Sequence, residues 1–189
     1  MVVIAISGQP GSGKTTVAKE IARVLGLRLR SSGVLFRELA KKYGMELIEF
    51  HKYAEVHPEI DREVDAMAVE EAKMGNAVLE GHLTAWVVRP YADICIYLKG
   101  APEVRARRVA LRDGRTFEEA LREIVEREEL NRRRYKQIYN IDIADLAPFD
   151  LVIDTTYLSQ ADVVRITLDF VCTALSAKFS KNLCASGRR

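Results

Sequence analysis

The sequence predicts an α/β fold in which a five-stranded parallel sheet is flanked by helices. Three observations carry this. Five short segments, at 2–6, 27–30, 77–79, 93–98 and 149–154, read as strands and alternate with longer stretches whose apolar residues recur at helical spacing. The first, Val2-Val3-Ile4-Ala5-Ile6, is wholly apolar, as a strand buried on both faces requires. A glycine-rich loop follows it and opens directly into a helix, a strand–loop–helix order in which the loop can do chemistry.

That loop is Gly8-Gln9-Pro10-Gly11-Ser12-Gly13-Lys14-Thr15, with Thr16 next, and it fits the phosphate-cradling pattern G-x-x-x-x-G-K-[ST]. Its glycines let backbone N–H groups turn inward around an anion, and the helix start adds its positive dipole end. Lys14 can reach the β and γ phosphates of a nucleoside triphosphate, and the Thr15 hydroxyl can ligate Mg²⁺. ATP and Mg²⁺ are therefore the expected cofactors. Val17, Ile21, Val24 and Leu25 give the following helix one apolar face, and Gly26 ends it.

After the strand at 27–30, Ser31 and Ser32 can cap a helix from Val34 to about Lys42, with Leu35 and Leu39 on its apolar face and Arg37 on another. Residues 43–57 are aromatic and irregular in pattern, and His57-Pro58 marks a boundary. A helix is expected from Glu59 to Lys73, carrying Asp61, Arg62 and Asp65 on its polar face. The strand at 77–79 runs into Glu80-Gly81. Ligands of parallel sheets bind at the carboxyl ends of strands, so Glu80 is placed to hold a water on Mg²⁺.

The strand at 93–98 precedes an arginine-dense helix from Glu103, and Thr116 with Glu119 forms a capping box for a second helix running to Tyr135. Arg127 and Arg134 are one heptad apart and can project to the same side of that helix. Ser159 can cap the last helix, and a basic tail follows. The expected organisation is one domain at 1–177, with a core of 1–30, 76–106 and 137–177, an acceptor-binding arm at 31–75 and a lid at 107–136. Residues 178–189 are expected to form a flexible basic tail.

Composition narrows the classes. The chain has 189 residues, and 29 Lys and Arg nearly balance 27 Asp and Glu, so bulk attraction to nucleic acid or to a membrane is not expected. No apolar run spans a bilayer and no signal peptide is evident, which points to the cytoplasm. Three cysteines and three histidines show no metal-ligand spacing.

With these pieces in place, the chain resembles the cytidylate kinases, in particular the compact archaeal branch of the nucleoside monophosphate kinases. The resemblance rests on GQPGSGKTT, Ser31 to Arg37, Glu80-Gly81, the helix bearing Arg127 and Arg134, and the strand end at Asp150 to Thr155, and it extends to about Ala177. It implies ATP-dependent phosphorylation of CMP or dCMP. It also implies that Ser32 and Arg37 contact the acceptor, that Arg127 and Arg134 reach the phosphates, and that Arg108 belongs to the approach to the lid. Two departures stand out. The position after Gly81 commonly carries arginine and here holds His82, leaving protonation of His82, or substitution by Arg62 or Arg89, to restore the charge. The acidic ribose contact of the family appears as Asn131. Base choice requires a hydrogen-bond acceptor for the cytosine amine with a donor beside it, for which Asp61, Arg62 and Asp65 have suitable chemistry. The acceptor stays open at this stage among CMP, AMP, UMP and a non-nucleotide alcohol, with an ATP-dependent switch as a non-catalytic alternative; a monomer is expected.

Overall fold

The computed structural model describes residues 1–179. Its strands are β1 (Val3–Gly8), β2 (Arg28–Ser31), β3 (Ala77–Glu80), β4 (Ile94–Lys99) and β5 (Leu151–Asp154), all parallel in the order β2-β3-β1-β4-β5. The five-stranded prediction is borne out. β1 lies at the centre and is buried along its whole length, which explains its lack of polar side chains. Alternate residues serve opposite layers. Ile4 and Ile6 pack with Val17 and Ile21 of α1 (Lys14–Leu25) and Val171 and Leu175 of α8 (Gln160–Phe179). Val3 and Ala5 pack with Ala68 and Ala72 of α4 (Pro58–Met74) and Ala85 and Val88 of α5 (Thr84–Val88).

Two helical excursions rise from the carboxyl end of this sheet. Between β2 and β3 run α2 (Ser32–Lys42), α3 (Leu47–Val56) and α4, sharing a separate core of Phe36, Ala40, Phe50, Ala54, Ile60 and Val64. Between β4 and β5 run α6 (Pro102–Asp113) and α7 (Phe117–Tyr139), joined by Ala106, Val109, Ala120 and Ile124. The capping box of Thr116 and Glu119 is formed, and Ser31 Oγ accepts from Val34 N at the start of α2.

Beyond shifts of one or two residues and the unforeseen helical turns at 84–91, three boundaries differ from expectation. Residues 47–56 are helical because Phe50 and Ala54, four apart, share a face buried under α2 and α4. Aromatic crowding around Tyr43, Phe50 and Tyr53 masks that periodicity in the sequence. α7 continues four residues past Tyr135, to Tyr139, whose hydroxyl donates to Asp65 Oδ2 at 2.7 Å, and Asn140 ends it with a left-handed φ of 55°. α8 includes Lys178 and Phe179, so the expected tail does not start at 178; its remainder, 180–189, lies outside the described residues.

Candidate active site

The loop between β1 and α1 is shaped by close approaches that only glycine permits. Gly8, at φ 148°, would place a Cβ 2.1 Å from the Leu98 carbonyl oxygen, and Gly11, at φ 77°, would place one 2.7 Å from that of Arg105. The Arg105 side chain braces the loop from behind. It is fully buried, donating from Nη1 to Pro10 O at 3.0 Å, from Nε to Gly100 O at 2.8 Å, and from its Nη groups to both Glu128 carboxylate oxygens.

In front of the loop opens a cavity of about 400 Å³ lined by Pro10 through Val17, together with Gly81, Arg108 and Arg112. Gly8 and Gln9 do not line it. They shape the turn, and Gln9 O accepts from Lys14 Nζ at 2.9 Å. Burial pulls the Lys14 ammonium down to about 8 against the opposing pull of Glu80, so it is charged at neutral pH. Ser12 Oγ is buried with no hydrogen-bond partner. An orphaned hydroxyl on a glycine-rich turn at the N-terminus of α1 fits an anion's oxygens. Thr15 Oγ1 donates to Glu80 Oε1 at 3.2 Å, and Ser31 Oγ donates to the same oxygen. A hydroxyl and a buried carboxylate converging beside the phosphate loop fit a hydrated Mg²⁺. Arg108 is tied to Thr155 Oγ1 and O, each at 2.8 Å, which fixes it as part of the wall.

A second, smaller cavity of about 60 Å³ lies between the arm and α7, lined by Ser32, Asp61, Asp65, Asn131 and Arg134 among others. Gly33, Arg37, His82 and Arg127 line both cavities, so the two meet across these four residues. Arg127 Nε is buried and unpartnered, while its Nη1 donates to Glu123 Oε1 at 3.2 Å. Arg37 has no ion-pair partner among the described residues. The two cations at the shared wall therefore retain donor capacity.

The remaining expected residues divide. Arg134 is not directed at the phosphate loop: it is 1% exposed, its Nε lies 2.6 Å from Asp61 Oδ2, and its Nη groups donate to His51 O and Asn131 Oδ1. It builds the floor of the second cavity and holds Asp61 and Asn131 there. Burial raises the Asp61 carboxyl to about 6, with Arg134 opposing, so the pair is ionised at neutral pH. Arg62 is exposed on α4 and lines neither cavity. Arg89 donates to both Asp150 carboxylate oxygens at 3.0 Å, far from a phosphate role. His82 is held well below its ordinary value by burial and by Lys14, Arg127, Arg134 and Arg105, so its imidazole is neutral. Arg37 and Arg127, not a protonated His82, supply the charge at this wall. Sequence reasoning missed Arg112, Gln160 and Val163 in the first cavity and His51 in the second; no spacing in the chain marks them.

The profile of the cytidylate kinase-like family matches residues 3–157. The chain belongs to that family. Among its relatives, the cytidylate kinase of Pyrobaculum arsenaticum is 71% identical over 184 residues, spanning 97% of this chain and 100% of its own. The cytidylate kinase of Ignicoccus hospitalis is 49% identical, spanning 87% of this chain and 96% of its own. Solved kinases share the fold at low identity. A gluconokinase from Sinorhizobium meliloti superposes with a TM-score of 0.61 at 18% identity, covering 95% of this chain and 97% of its own. A shikimate kinase from Acinetobacter baumannii gives 0.59 at 19%, covering 92% and 94%. This cytidylate kinase family member thus sets its sheet, phosphate loop and helical excursions in the arrangement of a P-loop kinase.

Proposed function

We propose that the protein transfers the γ-phosphoryl group of ATP to CMP or dCMP, giving the corresponding diphosphate. The observation that carries this reading is the pair of cavities meeting at Gly33, Arg37, His82 and Arg127. A donor triphosphate held by the phosphate loop and an acceptor phosphate entering from the arm side would face each other across that wall. Ser12 and the loop amides bind the donor phosphates, and Lys14 leaves the Gln9 carbonyl to reach them. Arg127 and Arg37 neutralise charge on the transferring group and the acceptor phosphate, the fork of each guanidinium gripping phosphate oxygens. Thr15 and, through water, Glu80 would hold Mg²⁺, which supplies further charge neutralisation on the triphosphate when bound. The protein's part is positioning and electrostatics, with water excluded by the lid of α6 and α7.

Ser32 and Asn131 are assigned to the acceptor nucleoside, with Asp61 and Arg134 framing its pocket and Gly81 allowing the close approach of Ser32. A Cβ on Gly81 would fall 2.9 Å from Ser32 Cβ. Arg108 and Arg112 belong to the donor side. We further assign the protein to the cytoplasm as a monomer that binds nucleotides and not nucleic acid. Among the described residues no helix is long and apolar enough to cross a membrane. The decisive assay is initial-rate ADP production with Mg-ATP against CMP, dCMP, UMP, AMP, GMP and shikimate. A preference for CMP or dCMP is expected; turnover mainly with another acceptor refutes the reading.

A further inference from the structure

The second cavity contains several polar side chains, yet most are already engaged with one another. Arg134 is committed to Asp61, His51 O and Asn131. Ser32 Oγ and Thr84 Oγ1 lie 3.1 Å apart and bond to each other. Apart from the wall shared with the first cavity, where both His82 ring nitrogens and Arg127 Nε are also unpartnered, and the Asn131 amide already assigned to the nucleoside, two groups remain with unused capacity.

The first is His51, on α3, only 4% exposed and stacked on Phe36 with ring centroids 4.6 Å apart. Its Nδ1 lies 3.3 Å from Arg134 Nη1. A guanidinium can only donate, so Nδ1 is the acceptor and the ring proton sits on Nε2. That Nε2 is buried and has no hydrogen-bond partner. Burial and the neighbouring Arg127 and Arg134 keep the ring neutral, so the tautomer is a lone donor without an acceptor. The second is Asp65, on α4, 8% exposed. Tyr139 donates to its Oδ2, and Asp65 makes no other side-chain hydrogen bond among the described residues. His51 and Asp65 thus add an unpaired donor on α3 and an unpaired acceptor on α4 to this cavity. A buried polar group without a partner is costly, and such groups in a native site mark where a ligand completes the bonding.

We propose that His51 and Asp65 read the acceptor base, His51 donating from Nε2 to a ring-edge acceptor of cytosine and Asp65 accepting from its exocyclic amine. Uracil presents a carbonyl where cytosine presents the amine and an N–H where cytosine presents a ring acceptor, so it meets an acceptor with an acceptor and a donor with a donor. Tyr139 and Phe36 are positioning residues: one fixes the Asp65 carboxyl and the other fixes the His51 ring plane. Arg62, suited by its charge in the sequence, takes no part.

This inference rests on the CMP kinase reading and is tested separately from it. The measurement is kcat/KM for CMP and UMP, with KM for ATP, in the wild type and in Asp65→Asn, His51→Phe and His51→Gln. In Asp65→Asn the Tyr139 hydroxyl holds the new amide's carbonyl and turns its NH₂ into the cavity, toward the uracil carbonyl. UMP turnover therefore rises and the CMP:UMP ratio falls by roughly tenfold or more. This gain cannot come from misfolding. His51→Phe keeps the stack on Phe36 and loses the donor, lowering kcat/KM for CMP by roughly ten- to a hundredfold with ATP KM within twofold, and His51→Gln, which restores an N–H, recovers most of that loss. A wild type that also loses roughly tenfold on the CMP analogue lacking the 4-amino group supports the Asp65 contact directly. If the wild type prefers CMP while the CMP:UMP ratio stays within twofold in Asp65→Asn and His51→Phe, base readout by these residues is overturned and the kinase assignment stands. If the wild type does not use CMP, the kinase assignment itself falls.

Discussion

Replacing Arg105 with Met tests whether a buried arginine outside both cavities maintains the phosphate loop. The substitution keeps the aliphatic stem and removes the guanidinium. It strips the Pro10 and Gly100 carbonyls of their donor and leaves the Glu128 carboxylate, 24% exposed, without its cation. Breaking one side of a buried pair costs about 3–5 kcal/mol. Partial exposure of Glu128 lets water recover some of this, so about 3 kcal/mol is expected. For a chain of this size that corresponds to a fall in Tm of roughly 6–12 °C. Because the Arg105 backbone and side chain both contact the Pro10–Gly11 segment, the loop should loosen as well. KM for ATP should rise severalfold while the acceptor KM changes less. Thermal melting of the variant, with and without ATP, reads both effects. Adding Glu128→Leu should return part of the lost stability, since it removes the stranded charge. A Tm within about 2 °C of wild type, with an unchanged ATP KM, would refute the bracing role.

Lys14→Met should lower kcat by roughly two to three orders of magnitude, by the measure of other lost charge-stabilising contacts, in a protein whose melting temperature is not lowered; steady-state turnover at saturating ATP checks this. Arg37→Ala should raise the acceptor KM by roughly ten- to a hundredfold while the ATP KM changes by about threefold or less, because Arg37 lies at the acceptor side of the shared wall; equal effects on both substrates would remove it from that role. Asp65 yields a pH prediction. Burial raises its carboxyl to about 7 from 3.8, with Tyr139 opposing and Asp61 adding to the rise. The folded state therefore binds this proton more tightly than the unfolded state. Its contribution is most favourable below about pH 4 and is lost as pH rises through about 7, by at most about 4 kcal/mol. Asp65→Asn removes that loss, so the Tm difference between variant and wild type should widen in the variant's favour from pH 5 to pH 8. Parallel melting curves across that range would contradict the burial argument.

The phosphate loop and the sheet were legible because each leaves a local mark: fixed spacing of glycine and lysine in one case, short apolar runs with turn residues between them in the other. The site's arginines were legible only in part. Arg62, Arg105, Arg127, Arg133 and Arg134 look alike in a charge-rich helical sequence, yet Arg105 and Arg134 are buried, Arg62 and Arg133 are exposed, and Arg127 lies between. What separates them is distant in the chain. Arg105 finds Pro10, 95 residues away, and Arg134 finds His51, 83 residues away. His51 was invisible for a related reason: its importance comes from which nitrogen Arg134 occupies, a fact of packing between α3 and α7. The departure at His82 was readable, but its neutral state depends on cations brought near it by folding.

The walls of the second cavity are anchored to one another. Its volume, about 60 Å³, is well below the roughly 300 Å³ at which ligand pockets begin. α3 and α4 are tied to α7 through Lys52–Glu126, Glu55–Arg133, Asp61–Arg134 and Asp65–Tyr139. α2 belongs to the same unit: its Phe36 packs on Phe50, stacks on His51, and lies under the Arg134 guanidinium, 5.2 Å from the ring centroid. Arg37, on the wall shared with the donor cavity, thus rides on the helix whose Phe36 backs His51. The two ends of the substrate are served by one packed unit, so a change of packing at the base end is felt at the phosphate end.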